Sequence, residues 1–355
     1  MSVRILQGDC RDVLRTLPDE SVHCVVTSPP YFGLRDYGVA GQIGLEPTPD
    51  AFVAEMVAVF REVRRVLRSD GTLWLNLGDS YAGSWGAQSR EHAGKHAPNI
   101  SALSANQVKA AAIRQSGTGS ISRAPGLKPK DLIGIPWRVA FALQADGWWL
   151  RSSIIWAKPN PMPESVTDRP TSARENIFLL AKSERYFYDH EAVKEPVSVP
   201  DWDNGTRVFG GKNKAGANAR HGERTTGRLA VRADRKELAS PTYERHRSAI
   251  PGGQSLQAEP NGLRNLRNVW TVSTKPFSEA HFATFPPALI EPCIKAGCPE
   301  GGTVLDPFGG AGTTGLVADR LGRDAILIEL NPTYAEMARR RVERDAGMFA
   351  MVAAE

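Results

Sequence analysis

At 355 residues with a formal net charge of +5, the chain is long enough to bury a substantial core, as one large domain or as a principal domain carrying a smaller insert. Its longest apolar runs, such as residues 133–143, fall well short of the roughly 20 needed to cross a bilayer, and residues 1–9 enter a strand pattern without the apolar stretch of a signal peptide. A cytoplasmic protein with no membrane span is expected, and four cysteines without paired spacing (Cys10, Cys24, Cys293, Cys298) argue against a metal site or a disulfide framework.

In chain order, residues 4–6 and 23–27 read as buried strands. Residues 50–67 repeat Phe52, Met56, Val59, Phe60, Val63 and Leu67 at helical spacing, and residues 72–77 form a further strand. Residues 82–130 are rich in Gly, Ser, Ala and His with weak periodicity, the composition of a mobile loop. Order returns with a helix over 132–145, a Trp-rich strand over 148–156 and a hairpin over 176–188. The last third alternates helix 287–296, strand 303–306, helix 311–321, strand 325–329 and helix 332–344, and no internal repeat is found. This alternation predicts an α/β fold: a mostly parallel sheet with helices on both faces, assembled from both ends of the chain.

Between the two α/β parts lies a basic segment. From residue 206 to 268 there are thirteen Lys and Arg against five Asp and Glu, an excess larger than the net charge of the whole chain, so the remainder is slightly acidic. Arg207, Lys212, Lys214, Arg220, Arg224, Arg228, Arg245, Arg247, Arg264 and Arg267, interspersed with Gly, Asn and His, suit contacts to phosphates, although a solvated loop carries the same charge. The expected organisation is therefore a first half over 1–196, an insert over 197–272 and a second half over 273–355.

Strand 303–305 runs into Asp306-Pro307-Phe308-Gly309-Gly310-Ala311-Gly312-Thr313-Thr314-Gly315 and then a helix, with Glu329 closing the next strand. Glycines in a strand-to-helix turn let the backbone approach a nucleotide cofactor, and a carboxylate after the following strand accepts ribose hydroxyls. Gly310, Gly312 and Gly315 also satisfy the dinucleotide spacing, which keeps a nicotinamide-dependent oxidoreductase in view. Asp306 weighs against it, because a carboxylate at the mouth of the turn repels a pyrophosphate and attracts the ammonium and sulfonium of S-adenosylmethionine. The Asp-Pro-Phe-Gly-Gly-Ala-Gly-Thr-Thr run resembles the cofactor motif of the DNA amino-methyltransferases, and Phe285-Pro286-Pro287 resembles the helix start that precedes it in that family.

Val25-Val26-Thr27-Ser28-Pro29-Pro30-Tyr31 follows a buried strand, so its rigid turn falls at the carboxyl edge of the sheet, where ligands of such folds bind. An exocyclic amine of a base shares its lone pair with the ring and is a poor nucleophile. An enzyme must hold its hydrogens with acceptors, for which the Ser28 hydroxyl and Pro29 carbonyl serve, while Tyr31 offers a face to a base extruded from the duplex. The turn is similar to the family's catalytic motif of Asp, Asn or Ser, then Pro-Pro, then an aromatic. The Ser form is associated with N4 of cytosine and the Asp form with N6 of adenine.

The resemblance extends to Gln7-Gly8-Asp9-Cys10, where it implies contacts of Asp9 and Cys10 with the cofactor adenine, and to Trp156-Ala157-Lys158-Pro159-Asn160 and Arg174-Glu175-Asn176, where it implies the wall of the target pocket. It also brings Thr27, Glu329 and Asn331 into the expected cofactor site. The catalytic motif precedes the cofactor motif, which is the order of the permuted β class, with target recognition placed in the insert between them. What it implies is a Rossmann-like methyltransferase acting on double-stranded DNA with S-adenosylmethionine, without metal, of the kind found in restriction-modification, either paired with a restriction enzyme or solitary, with a homodimer as the default assembly. The rival readings are methylation of RNA or a protein amide, and a DNA-binding regulator.

Overall fold

In the computed structural model, residues 2–82, 127–196, 263–274, 284–346 and 351–354 are described. One compact unit takes in residues 1–193 and 267–355, and a second takes in 194–266. The elements of the first unit in chain order are β1 (Ser2–Gln7), α1 (Cys10–Thr16), β2 (Val22–Thr27), α2 (Pro49–Val66), β3 (Leu67–Leu77), α3 (Ile135–Ala145), β4 (Trp149–Ala157) and β5 (Arg174–Ala181). In the second unit, β6 (Glu195–Pro196) pairs antiparallel with β7 (Leu263–Arg264). The first unit then resumes with β8 (Val269–Thr271), α4 (Pro287–Gly297), β9 (Thr303–Asp306), α5 (Thr313–Arg320), β10 (Asp324–Glu329), α6 (Pro332–Ala346) and β11 (Met351–Ala354).

Nine of these strands make one sheet in the order β11-β1-β10-β9-β2-β3-β5-β4-β8. The pairs from β11 to β3 are parallel, and β5 runs antiparallel to both β3 and β4. Both ends of the chain therefore enter one sheet, as the alternation of elements predicts. From β9 the chain moves through α5 to β10 on one side, whereas from β2 it moves through α2 to β3 on the other. The strand order thus reverses between β9 and β2, and the crevice above such a reversal is where open α/β sheets bind ligands.

Two layers of helices cover the sheet. Along β3, Leu73, Leu75 and Leu77 join the cluster formed with Phe52, Met56, Val59, Phe60 and Val63 of α2 and with Val139 and Leu143 of α3. The alternate residues Thr72 and Trp74 turn to the opposite face, where α4 packs, as the period of two requires. Asn76 is next in that second series, a polar residue 5% exposed at the carboxyl end of a strand otherwise apolar from Leu73 onward. All four cysteines are free and buried. Among the described residues, no helix is long and apolar enough to cross a membrane.

Three sequence expectations change. The hairpin expected over 176–188 is instead β5 pairing with β4, which lies before it in the chain, and residues 182–188 add no strand. Leu132 makes an isolated bridge to Tyr81, so the helix expected from 132 starts at Ile135, where Asp79 Oδ1 accepts from the Gly134 and Ile135 amides. Val269–Thr271, within the expected insert, lies in the main sheet beside β4. Of the loop expected over 82–130, residues 83–126 lie outside the described residues.

Gly297 ends α4 against the sheet. A Cβ there would lie 2.5 Å from Trp74 Nε1 and 2.6 Å from Thr72 Oγ1, both on fully packed side chains. Gly297→Ala is expected to cost roughly 1–3 kcal/mol through overpacking. A urea unfolding curve with an unchanged midpoint would show that the helix can move away from β3 at no cost.

Candidate active site

The carboxyl ends of β9 and β2 are joined by one buried carboxylate. Asp306 is 1% exposed; its Oδ1 accepts from Thr27 Oγ1 at 2.6 Å and from the Phe308 amide at 3.0 Å, and its Oδ2 accepts from Thr314 Oγ1 at 2.6 Å. Asp306 was expected at the mouth of the turn, facing a cation. It is instead turned inward, because hydroxyls from β2 and from the first turn of α5 flank it. Removal from water pushes its pKa up to about 6, against the opposing pull of the three donors. Thr27 and Thr314, expected to touch a cofactor, are fully buried as its partners, and Thr313 donates nothing to it but accepts from Arg341 at 2.9 Å.

The glycine turn bends over this carboxylate. The Gly309 amide donates to the Ile328 carbonyl at 2.8 Å, the Gly310 amide to Glu329 Oε2 at 2.8 Å and the Gly312 amide to the Gly309 carbonyl at 2.9 Å. Gly312 has φ +78°, and a Cβ there would lie 2.9 Å from the Ala338 Cβ, so only glycine fits that corner. These are the amides that would cradle a pyrophosphate. With all three turned to the protein, the turn does not fit a dinucleotide bound through its phosphates. Pro307 and Ala311 are buried, and Phe308 packs partly exposed against the core.

Glu329 closes β10 beside the turn and is partly exposed. Its Oε2 accepts from the Gly310 amide and its Oε1 from the Asn331 amide, each at 2.8 Å, and the partly exposed carboxylate keeps further acceptor capacity. Burial raises its pKa, and burial first, with the nearby Glu329 charge adding to it, raises those of Tyr37 and Tyr334, the latter to about 12. The two tyrosines were not among the expected site residues. The Asn331 side chain accepts from the Thr333 amide at 2.9 Å, which caps α6.

At the end of β1, Asp9 N-caps α1 through the Arg11 amide at 2.9 Å and binds the Arg11 guanidinium, which holds its carboxyl below the usual range. Arg11 reaches on to Glu55 at 2.7 Å and to the Gly41 carbonyl at 2.8 Å. Cys10 is buried, and desolvation pushes its thiol up to about 12. Phe285 is half-buried and Pro286 buried, leading into Pro287 at the first turn of α4, where proline has no intrahelical amide bond to lose.

Ser28, Pro29, Pro30 and Tyr31 leave β2 on the other side of the crevice. The Ser28 hydroxyl lies 3.3 Å from the Tyr31 hydroxyl, which donates to Glu175 Oε2 at 2.8 Å. Gly78 lies against the Tyr31 ring: a Cβ there would be 2.4 Å from Tyr31 Cε2. The structure thus brings the Ser-Pro-Pro-Tyr turn together with Glu175 of β5, whose carboxylate pairs with Lys158 just past the end of β4, the Lys158 ammonium standing over the Trp156 ring. It adds Asn76, which sequence reasoning missed and which only its polarity inside an apolar strand could have flagged.

Of the expected basic contacts, Arg264 lies in the second unit, where its guanidinium donates to Glu195 Oε1 at 2.7 Å. Arg267 lies in the first unit, exposed, with its carbonyl accepting from Trp270 Nε1 at 2.6 Å. Arg207, Lys212, Lys214, Arg220, Arg224, Arg228, Arg245 and Arg247 lie outside the described residues.

Residues 22–340 match the model of a family described as DNA methylase. The chain is 44% identical over 339 residues to the Type II methyltransferase M.XycI of Xanthomonas campestris pv. cyanopsidis, covering 96% of this chain and 87% of the relative. It is 41% identical over 343 residues to the Type II methyltransferase M.SmaI of Serratia marcescens, covering 97% and 91%. Two solved structures share the fold. The PvuII DNA methyltransferase, cytosine-N4-specific, has a TM-score of 0.55 at 17% identity over 95% of this chain and 86% of its own. The Thermus thermophilus protein TTHA0409, solved with S-adenosyl-L-methionine, has a TM-score of 0.53 at 22% identity over 99% of both chains.

The raised pKa of Asp306 has a definite sign. A carboxyl with a folded-state pKa above its unfolded value contributes stability that is complete below the unfolded pKa and is lost as pH rises through the folded pKa. Wild type should therefore gain stability relative to Asp306→Asn as pH falls from about 7 to about 4, by on the order of 3 kcal/mol for a rise from 3.8 to about 6. Denaturant midpoints of the two proteins across that range give the difference directly; a flat or opposite trend would rule out a buried ionised carboxylate.

Proposed function

The chain belongs to the DNA methylase family, and on that premise we propose that it transfers a methyl group from S-adenosylmethionine to the exocyclic amine of a base extruded from double-stranded DNA. The observation that carries this reading is the juxtaposition, across the β9/β2 crevice, of the glycine turn and the Ser-Pro-Pro-Tyr turn, locked to one another through Asp306.

The cofactor supplies an electrophilic methyl group on a sulfonium. Glu329 suits its ribose hydroxyls, with Tyr37 and Tyr334 close to that carboxylate. The Asp9–Arg11 pair at the end of β1 stands on the adenine side that the family resemblance assigns. Asp306 acts here by position and field: it fixes the Gly309–Gly312 turn against Thr27 and so sets the distance between the two ligands.

On the other side of the crevice, the Ser28 hydroxyl and the Pro29 carbonyl accept the hydrogens of the amine, drawing its lone pair away from the ring. Tyr31, backed by Gly78, gives the base a face to stack on. Holding both reactants in line accounts for much of the rate, because it replaces a bimolecular encounter with an oriented one. The serine in the catalytic turn favours N4 of cytosine over N6 of adenine as the target. The segment from 197 to about 266, ending before β8 enters the main sheet, is proposed as the target-recognition region, and the Type II relatives support a place in a restriction-modification pair.

Expression in a methylase-deficient bacterium, followed by nucleoside mass spectrometry of the genomic DNA, should reveal N4-methylcytosine. N6-methyladenine would keep the chemistry and change the base, and the absence of both would point to RNA or protein instead. Calorimetry should show binding of S-adenosylmethionine and none of NAD. Ser28→Ala should slow methyl transfer about a hundredfold or more with cofactor affinity unchanged; a variant turning over at the wild-type rate would remove Ser28 from the chemistry.

A further inference from the structure

Behind the Ser28 hydroxyl, the hydrogen bonds run in one direction. Ser28 Oγ donates to Tyr31 Oη at 3.3 Å, and Tyr31 Oη donates to Glu175 Oε2 at 2.8 Å. Asn76 reaches all three from β3, with Nδ2 at 3.4 Å from Ser28 Oγ, 2.9 Å from Tyr31 Oη and 3.0 Å from Glu175 Oε2. Lys158 pairs with the other carboxylate oxygen, and its ammonium also stands 4.3 Å from the centre of the Trp156 ring. Glu175 and Lys158 keep side-chain exposures of only 16% and 18%, so the pair lies largely out of water.

The polarity of this chain follows from which groups can donate. A carboxylate only accepts, and the ammonium and the amide nitrogen only donate. Tyr31 therefore spends its one proton on Glu175, and its oxygen is left to accept from Ser28 and Asn76. Ser28 spends its one proton on Tyr31 and presents lone pairs to the crevice. An isolated serine hydroxyl would rotate freely between donating and accepting. Here the carboxylate at the far end makes it an acceptor, which is what an amine about to act as a nucleophile requires. The same orientation forms a path for a proton. Among the described residues Asn76 Oδ1 is buried without a hydrogen-bond partner, a cost that falls where the donor end of the amide is needed inside the network.

We propose that Glu175 is a positioning residue for methyl transfer: it fixes the Ser28 hydroxyl as an acceptor and, through Tyr31, takes up the proton that the amine loses. This rests on the methyltransferase reading. The methylated amine carries one proton more than the product. Its N–H bond breaks with the electron pair staying on nitrogen, and the proton bonds to Ser28 Oγ. The Ser28 proton passes to Tyr31 Oη and the Tyr31 proton to Glu175 Oε2. The base ends neutral, both hydroxyls are as they began, and the positive charge has moved to the Glu175–Lys158 pair, which returns the proton to solvent when product leaves. The 3.3 Å step tightens on substrate binding, as such contacts do.

Tyr31→Phe keeps the ring against Gly78 and removes one hydroxyl, and Glu175→Gln removes the charge while keeping the shape. In single turnover on DNA carrying the recognition site, each variant should lose on the order of a hundredfold in methyl-transfer rate, with affinities for DNA and S-adenosylmethionine unchanged. The double variant should be no slower than the slower single one, because the two residues act as one unit. Wild type should be slowed in D2O, and that slowing should vanish in Tyr31→Phe. Wild-type rates in either variant, or an equal D2O effect in all, would overturn the relay while leaving the enzyme a methyltransferase. If Glu175→Gln fails to fold, Tyr31→Phe decides alone. A wild-type protein that methylates no DNA would overturn the function and the relay together.

Discussion

The carboxylate of Asp306 is the constraint around which the rest of the site is arranged. Burying a charge in a protein interior is costly unless donors surround it. Three donors do so here, one from the end of β2, one from the glycine turn itself and one from the first turn of α5. Those three segments carry the two motifs that must cooperate. Any shift of β2 against β9 would strand the charge, so the arrangement that satisfies Asp306 also holds the crevice at one width. The strand order reverses at this junction, which leaves the crevice open above it for ligands.

The other carboxylates at this edge of the sheet are each committed to a different partner, and the partner decides the role. Asp9 is saturated on one oxygen by Arg11 and serves as a cap and an anchor. Glu329 accepts from the backbone amides of Gly310 and Asn331, stays partly exposed and keeps acceptor capacity. Glu175 is balanced by Lys158 on one side and reads out to Tyr31 on the other. Carboxylates of one chemistry thus stand as a helix cap, a partly exposed acceptor and the charge-balanced partner of a tyrosine hydroxyl, because burial and donor supply differ among them.

Much of the architecture was legible in the chain because buried strands and amphipathic helices have periods that local reading can detect. Phe52 through Val63 announce α2, and the run from Thr303 to Glu329 announces strand, glycine turn, helix and strand in order. The hairpin expected over 176–188 does not form, because antiparallel pairing depends on which strand is opposite, and β5 finds β4 and β3 instead of the segment after it. Ser28, Tyr31 and Glu329 stood out because a rigid proline turn and a strand-terminal acid have few other uses together. Asn76 did not, since one amide in a strand carries no signal until the strand's neighbours are known.

Local propensity in the chain fixes which residue types stand at the ends of which strands: glycines after β9, prolines after β2, an acid just beyond β1 and acids closing β9 and β10. What those residues face depends on packing between segments far apart in the chain. Asp306 is turned inward because two threonines lie beside it, one of them 279 positions away in the chain, and Tyr31 reaches a carboxylate 144 positions away. Hydrogen-bond partners separated so far in sequence meet through the register of a sheet, and that register follows from burying apolar faces on both sides of it, a property of the whole chain that no single segment carries.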